Sequence, residues 1–196
     1  MATQELDVRG LRKPDKHPAI FRAYKALEVG GCVDLVNDHD PKHLRQEFDV
    51  EHPGSHGWEY LTKGPETWRI RISKLSSTPL PRVLCNTQTI GADAEPDAAG
   101  ALWKLPMRTR DLDSNLVQLP PLGTVDAHIG PELDVLVHVV RGTGLLTTEL
   151  DVIELGAGSV VWLPRRSQRA FSAGAEGLRY LTVHQRRQGL SLTAAP

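Results

Sequence analysis

The sequence predicts an α+β protein of two domains: a first half that mixes helices with strands, and a second half built only of strands. Three observations carry that expectation. Apolar residues recur at helical spacing only before residue 75; after it they come in short runs broken by turn residues. Between the two patterns, Ser76 to Gly100 holds Pro79, Pro81, Gly91, Pro96 and a run of Ala and Asp, which suits a linker. Charge does not separate the halves: residues 1–75 carry 12 basic and 12 acidic side chains, the remainder 11 and 12. The expected divisions are therefore 1–75, a linker over 76–100, and 101–196.

The first half reads as strand, helix, strand, helix, strand, strand. Leu6 and Val8 alternate with polar residues before Gly10. Asp15 is placed to cap a helix with Pro18 in its first turn, where a missing N–H is harmless. Ile20, Tyr24 and Leu27 then share one helical face, and Gly30-Gly31 stop the helix. Cys32 to Val36 is a second strand. Asp40-Pro41 opens a second helix with Leu44 and Phe48 one turn apart, and Pro53-Gly54 close it. Trp58 and Tyr60, then Trp68, Ile70 and Ile72, alternate with polar residues around the turn Lys63–Glu66, which predicts a hairpin. Such an order implies a small sheet covered by two helices.

The second half offers short apolar runs: Asn115–Leu119, Val135–Val140, Leu145–Leu150, Ser159–Leu163, Arg169–Ser172 and Leu178–His184. Pro120-Pro121, Gly130-Pro131, Arg141–Gly144, Gly156–Gly158 and Gly174–Gly177 separate them, and Arg82–Cys85 is a further short strand candidate. Strands at this spacing predict a sandwich or barrel.

Composition narrows the function. With 40% apolar and 24% charged residues the chain of 196 has ordinary globular composition. A net charge of −1 argues against nucleic acid or an anionic membrane as the main partner. The apolar run Leu155–Pro164 is too short to span a bilayer, and the opening residues lack a basic-then-apolar leader. Two cysteines, Cys32 and Cys85, fit reduced thiols in a cytoplasmic protein better than a disulfide framework. There is no Gly-x-Ser-x-Gly elbow, Gly-x-Gly-x-x-Gly fingerprint or Walker loop, so no catalytic residues are assigned.

Leu6-Asp-Val-Arg-Gly-Leu-Arg12-Lys13-Pro14 resembles the opening of the TusA-like sulfur carriers, which place Cys-Pro before their first helix. The stretch 5–74 is closer still to the family called domain of unknown function 2249. It shares Val36-Asn-Asp-His-Asp-Pro41, Glu51-His-Pro-Gly54, Trp58-Glu-Tyr60 and Gly64-Pro-Glu followed by Trp68. The resemblance implies a TusA-like βαβαββ sandwich. Persulfide transfer needs a thiolate, and the matching position here is Lys13, so a sulfur-handling role would have to use Cys32 or Cys85. The two crossovers bring both helix N-termini to one sheet edge. That edge collects Arg12, Lys13, Lys16 and His17 with Asp38, His39, Asp40 and His43. An anion site is one expectation there. A metal site of His17, His39, His43 and Asp38 is another. Ordinary turn and capping roles for Asp38, His39 and Asp40 are the third.

Residues 115–185 resemble a cupin, an RmlC-like jelly roll or double-stranded β-helix barrel. The family's first motif sets two histidines and a glutamate before a glycine; aligned on Gly142, His128 fits the first histidine, Gly130 replaces the second and Val135 replaces the glutamate. In the second motif Gly158 and Pro164 match, while Arg166 stands for a glycine and Arg169 for the metal-binding histidine. A bulge would turn Asp134 and His138 inward, leaving His128, Asp134, His138 and His184 as a candidate site for one divalent Zn, Fe, Mn or Ni. Under strict register His138 faces out. A competing expectation is an organic-anion site using Arg169 and Arg165 with Tyr180 and Thr182, within a C-terminal group that also holds Arg166, Arg179, Arg186 and Arg187, and a purely structural barrel is the third. Trp103 and Trp162 are expected in core or lid packing. The combined expectation is a non-enzymatic binding or regulatory protein for a small anion or a metal. A metal-dependent cupin enzyme is the alternative, and the cupin resemblance also implies a homodimer.

Overall fold

The computed structural model describes residues 3–90 and 97–186. The chain divides into two compact units, residues 1–83 and 84–196. Among the described residues no helix is long and apolar enough to cross a membrane.

The first unit runs β1 (Thr3–Asp7), α1 (Lys13–Ala26), β2 (Cys32–Asn37), α2 (Lys42–Glu51), β3 (His56–Thr62) and β4 (Trp68–Lys74). The strands lie in the order β1-β2-β4-β3, with β1 and β2 parallel and the other neighbours antiparallel. Alternation assigns the faces. Val33, Leu35, Ile70 and Ile72 enter one core with Ile20 and Tyr24 of α1 and Leu44 and Phe48 of α2. Asp34 and Arg71, between those positions, meet on the other face, where the guanidinium donates at 2.8 and 2.9 Å to the two carboxylate oxygens.

Both helix starts differ from the expectation. The first helix begins at Lys13, with Pro14 in the tolerant first turn and Pro18 inside the helix. Asp15 does not cap it; its carboxylate accepts from Arg12 Nε at 2.8 Å. Asp40 does not cap α2 either, because its carboxylate accepts from the Tyr60 hydroxyl at 2.9 Å. Neither helix has a side-chain cap.

The second unit contains β5 (Gly100–Lys104), β6 (Leu112–Leu119), β7 (Thr124–Ile129), β8 (Val135–Thr147), β9 (Val152–Gly156), β10 (Val160–Leu163) and β11 (Gln168–Gln185). Four of the expected short strands merge into two long ones. Arg141–Gly144 and Gly174–Gly177 are not breaks but irregularities inside β8 and β11, which stay paired across a register shift between Ala173 and Leu178. Gly142 shows why they read as turns. It has φ +79°, and a Cβ there would lie 2.1 Å from the Gly177 carbonyl oxygen, so the two backbones approach as only glycine permits. Strands β5, β7 and β9 have no counterpart in the periodicity, and Arg82–Cys85 is not a strand.

The sheet order is β10-β8-β11-β6-β5, with β9 on the far part of β8 and β7 on the early part of β11. Both stretches send side chains into one core: Val135, Val137 and Val139, Leu146, Phe171, Leu178 and Tyr180 among them. Much of the segment expected as a linker is tied down. Leu80 N–H donates to Pro53 O at 3.0 Å, and Arg82 Nη1 donates to Asp49 O at 2.8 Å. In the second unit Arg179 donates to Ile90 O at 2.8 Å and to Gln118 Oε1 at 3.1 Å.

Candidate functional site

Two places gather the expected site residues. In the first unit a cleft of about 530 Å³ opens at the start of both helices, lined by Lys13, Lys16, His17, Asp38, His39 and His43 among others. All four residues of the N-terminal metal candidate line it. They do not converge as ligands, because each finds another partner or stands apart. His17 Nδ1 lies 3.1 Å from Glu47 Oε2, and His39 Nδ1 lies 2.6 Å from Asp38 Oδ1. Lys16 Nζ donates to Asp38 Oδ1 at 3.1 Å. His39 first and Lys16 second hold the Asp38 carboxyl below its usual range. His43 lines the cleft, and no group of three His, Cys, Asp or Glu side chains among the described residues is arranged to hold a metal ion.

The second unit separates the four residues of the cupin metal candidate. Val135, Val137 and Val139 are buried while Leu136 and His138 are exposed, so β8 keeps strict register and the inward bulge is absent. His138 therefore faces outward. Asp134 accepts the Arg165 backbone N–H at 2.9 Å, which pulls its carboxyl below the usual range. His128 is exposed, with Nδ1 2.8 Å from Asp126 O. His184 turns Nδ1 to Gln185 O at 2.8 Å.

Arg169 is the group at the centre instead. It opens the inward face of β11, two residues before Phe171 and four before Ala173, and is only 4% exposed. Its Nε makes one long contact, 3.4 Å to Ser167 O, and its buried Nη2 has no hydrogen-bond partner among the described residues. Burial pushes its proton affinity down, yet a guanidinium stays charged. Gly130 makes this placement possible: a Cβ there would lie 1.3 Å from Nη2 and 2.2 Å from Cζ. A metal at the position the cupin resemblance implies does not fit this arrangement. A buried cation stands at one of the ligand positions that resemblance implies and needs the empty space at another.

Beside Arg169 lies a groove of about 520 Å³, lined also by Leu146, Ile153, Val161, Trp162 and Arg165. Trp162, expected in core or lid packing, is 63% exposed on its wall. Arg165 pairs with Asp134 and Arg166 with Glu132. Arg166 has φ +60°, a left-handed conformation at the place where the family motif has glycine. Of the other expected anion residues, Tyr180 is a core residue stacked on Phe171 at 5.4 Å. Thr182 is half-buried, with its hydroxyl 3.4 Å from Asn115 O. Arg186 donates from its side chain to Arg108 O, and Arg187 lies outside the described residues. Gly130 is the site residue that sequence reasoning missed. Its signal, a glycine where a histidine was due, was visible, but its link to Arg169 was not.

The stretch of sequence that forms the first unit coincides with a known sequence family. Residues 5–74 match DUF2249. That family is described as an uncharacterized conserved protein, and the DUF2249 match spans all six elements of the first unit, entering within β1. The C-terminal half resembles a cupin. Similar solved structures include a cupin-2 domain containing protein from Shewanella frigidimarina, at 17% identity and TM-score 0.43, covering 53% of this chain and 95% of that one. A protein from Bacillus halodurans has 17% identity and TM-score 0.45, covering 57% of this chain and 85% of that one. A cupin protein from Bacteroides fragilis has 20% identity and TM-score 0.39, covering 51% and 88%. No curated protein matches the chain.

Proposed function

We propose that the second unit is a non-enzymatic binding module for a small organic anion, held by Arg169. One observation carries this reading: a guanidinium 4% exposed, with Nη2 lacking any hydrogen-bond partner among the described residues. Burying an unpaired ion costs several kcal/mol. A carboxylate or phosphate oxygen that reaches the guanidinium from the groove would offset part of that cost through a charge-assisted bond of about 1.5–3 kcal/mol. The groove of about 520 Å³ at Arg169 has the size of a small-molecule site. The test is calorimetric titration of the full chain with acetate, benzoate, inorganic phosphate and citrate. At least one should bind, and Arg169→Gln should abolish that heat. Equal binding by the variant would overturn the reading.

A second reading belongs to the first unit, for which we infer a TusA-like arrangement on the strength of its βαβαββ order. The observation favouring it is that His17, Asp38, His39 and His43 line one cleft with Lys13 and Lys16. Both helix N-termini there lack side-chain caps and favour negative charge. The cleft would then take an anion, or a divalent metal if the histidines exchange their present carboxylate contacts. Metal content by plasma mass spectrometry decides between them: near one equivalent, lost in His43→Ala, supports the metal. Cys32 and Cys85 are not joined in a disulfide, which supports a reducing, cytoplasmic setting.

A further inference from the structure

The groove at Arg169 has a mixed lining, and its apolar wall is formed by Leu146, Leu150, Ile153, Val161 and Trp162. Three of them are left uncovered, with Leu150 92%, Trp162 63% and Ile153 41% exposed. The charges around it are uneven in a specific way. Arg165 and Arg166 already pair with Asp134 and Glu132. Glu149 and Asp151 line the same groove. Arg169 has no ion-pair partner among the described residues, and with Glu149 and Asp151 on the same groove these charges sum to −1, which disfavours a ligand with more than one negative charge. The planar guanidinium suits a planar carboxylate better than a bulky multiply charged group.

From these features we infer that the anion is a monocarboxylate with an apolar body, its carboxylate on Arg169 and its body along the groove wall at Trp162, Val161 and Ile153. This rests on the reading of Arg169 as an anion site and goes beyond it by naming the chemical class. Apolar area on the ligand is removed from water against side chains that are otherwise exposed, so affinity grows with the length of the body. Gly130 belongs to the same device, since it leaves room for the guanidinium from behind.

The experiment titrates the full chain with acetate, hexanoate, benzoate, inorganic phosphate and citrate at constant pH and salt. Hexanoate and benzoate should bind about tenfold or more tightly than acetate. Trp162→Ala, at an exposed position, should lose several-fold more of the hexanoate affinity than of the acetate affinity. Arg169→Gln should lose both, and a thermal melt of each variant reports folding. Should Arg169→Gln fail to fold, Gly130→Ala supplies the same test with the arginine retained but displaced. Arg169-dependent binding of phosphate or citrate, with hexanoate no tighter than acetate, would overturn the monocarboxylate while leaving the anion site standing. Binding of none of the five would overturn both.

Discussion

Gly130→Ala separates the anion site from the stability of the fold. The added Cβ would lie 1.3 Å from Arg169 Nη2. A carbon–nitrogen contact needs about 3.5 Å, so the guanidinium must withdraw by about 2 Å. The clash is with the far end of a flexible side chain and not with backbone, so the chain can accommodate it. Gly130 is also not among the glycines with positive φ, so alanine meets no backbone strain there. Overpacking costs about 1–3 kcal/mol, and Gly-to-Ala at a compatible site returns about 0.4–1 kcal/mol through the unfolded state. The net stability change should stay within about 2 kcal/mol. Binding should suffer far more, because a displaced guanidinium loses a charge-assisted bond of about 1.5–3 kcal/mol, which is about tenfold to a hundredfold in affinity. Urea unfolding and calorimetric titration of one preparation measure both. Full anion affinity in Gly130→Ala would refute the claim that the guanidinium needs this space.

Gly142→Ala should behave in the opposite way. Its Cβ would meet the Gly177 carbonyl oxygen at 2.1 Å at φ +79°, a backbone clash with no flexible end, so urea unfolding should show a loss of about 2 kcal/mol or more. Arg179→Met should loosen the segment held through Ile90 and Gln118, read as faster amide exchange at residues 86–90 and a loss of about 1–3 kcal/mol. His52 gives a pH dependence. Burial, then the neighbouring His56, lowers its proton affinity below the ordinary 6.5. The unfolded chain takes up the proton more readily, so this contribution to stability is present above pH 6.5 and is lost as pH falls below it. Melting temperature should drop between pH 7 and 5, and His52→Gln should flatten that slope; an unchanged slope would count against the assignment.

Local patterns in the first unit were legible because each side chain's partner lies close along the chain or across one strand. Ile70 and Ile72 announce their face by alternation, and Ile20 and Tyr24 by helical spacing. Helix starts were less legible, because Asp40 is claimed by Tyr60, twenty residues away. In the second unit the glycines at 142 and 177 look like turns, and only the pairing of β8 with β11 shows that they are a close crossing inside continuous strands. The site itself illustrates the same limit. Gly130 and Arg169 read along the chain as two separate losses from a metal motif. Antiparallel pairing places Arg169 opposite His128 and Gln168 opposite Ile129, which brings Gly130 beside the guanidinium. Any side chain at 130 would collide with Arg169, so the bare glycine and the buried guanidinium are one arrangement, visible only once the two strands are paired. A buried guanidinium with an unpartnered Nη2 repels a metal ion and draws an anion, which is the reading the titrations test.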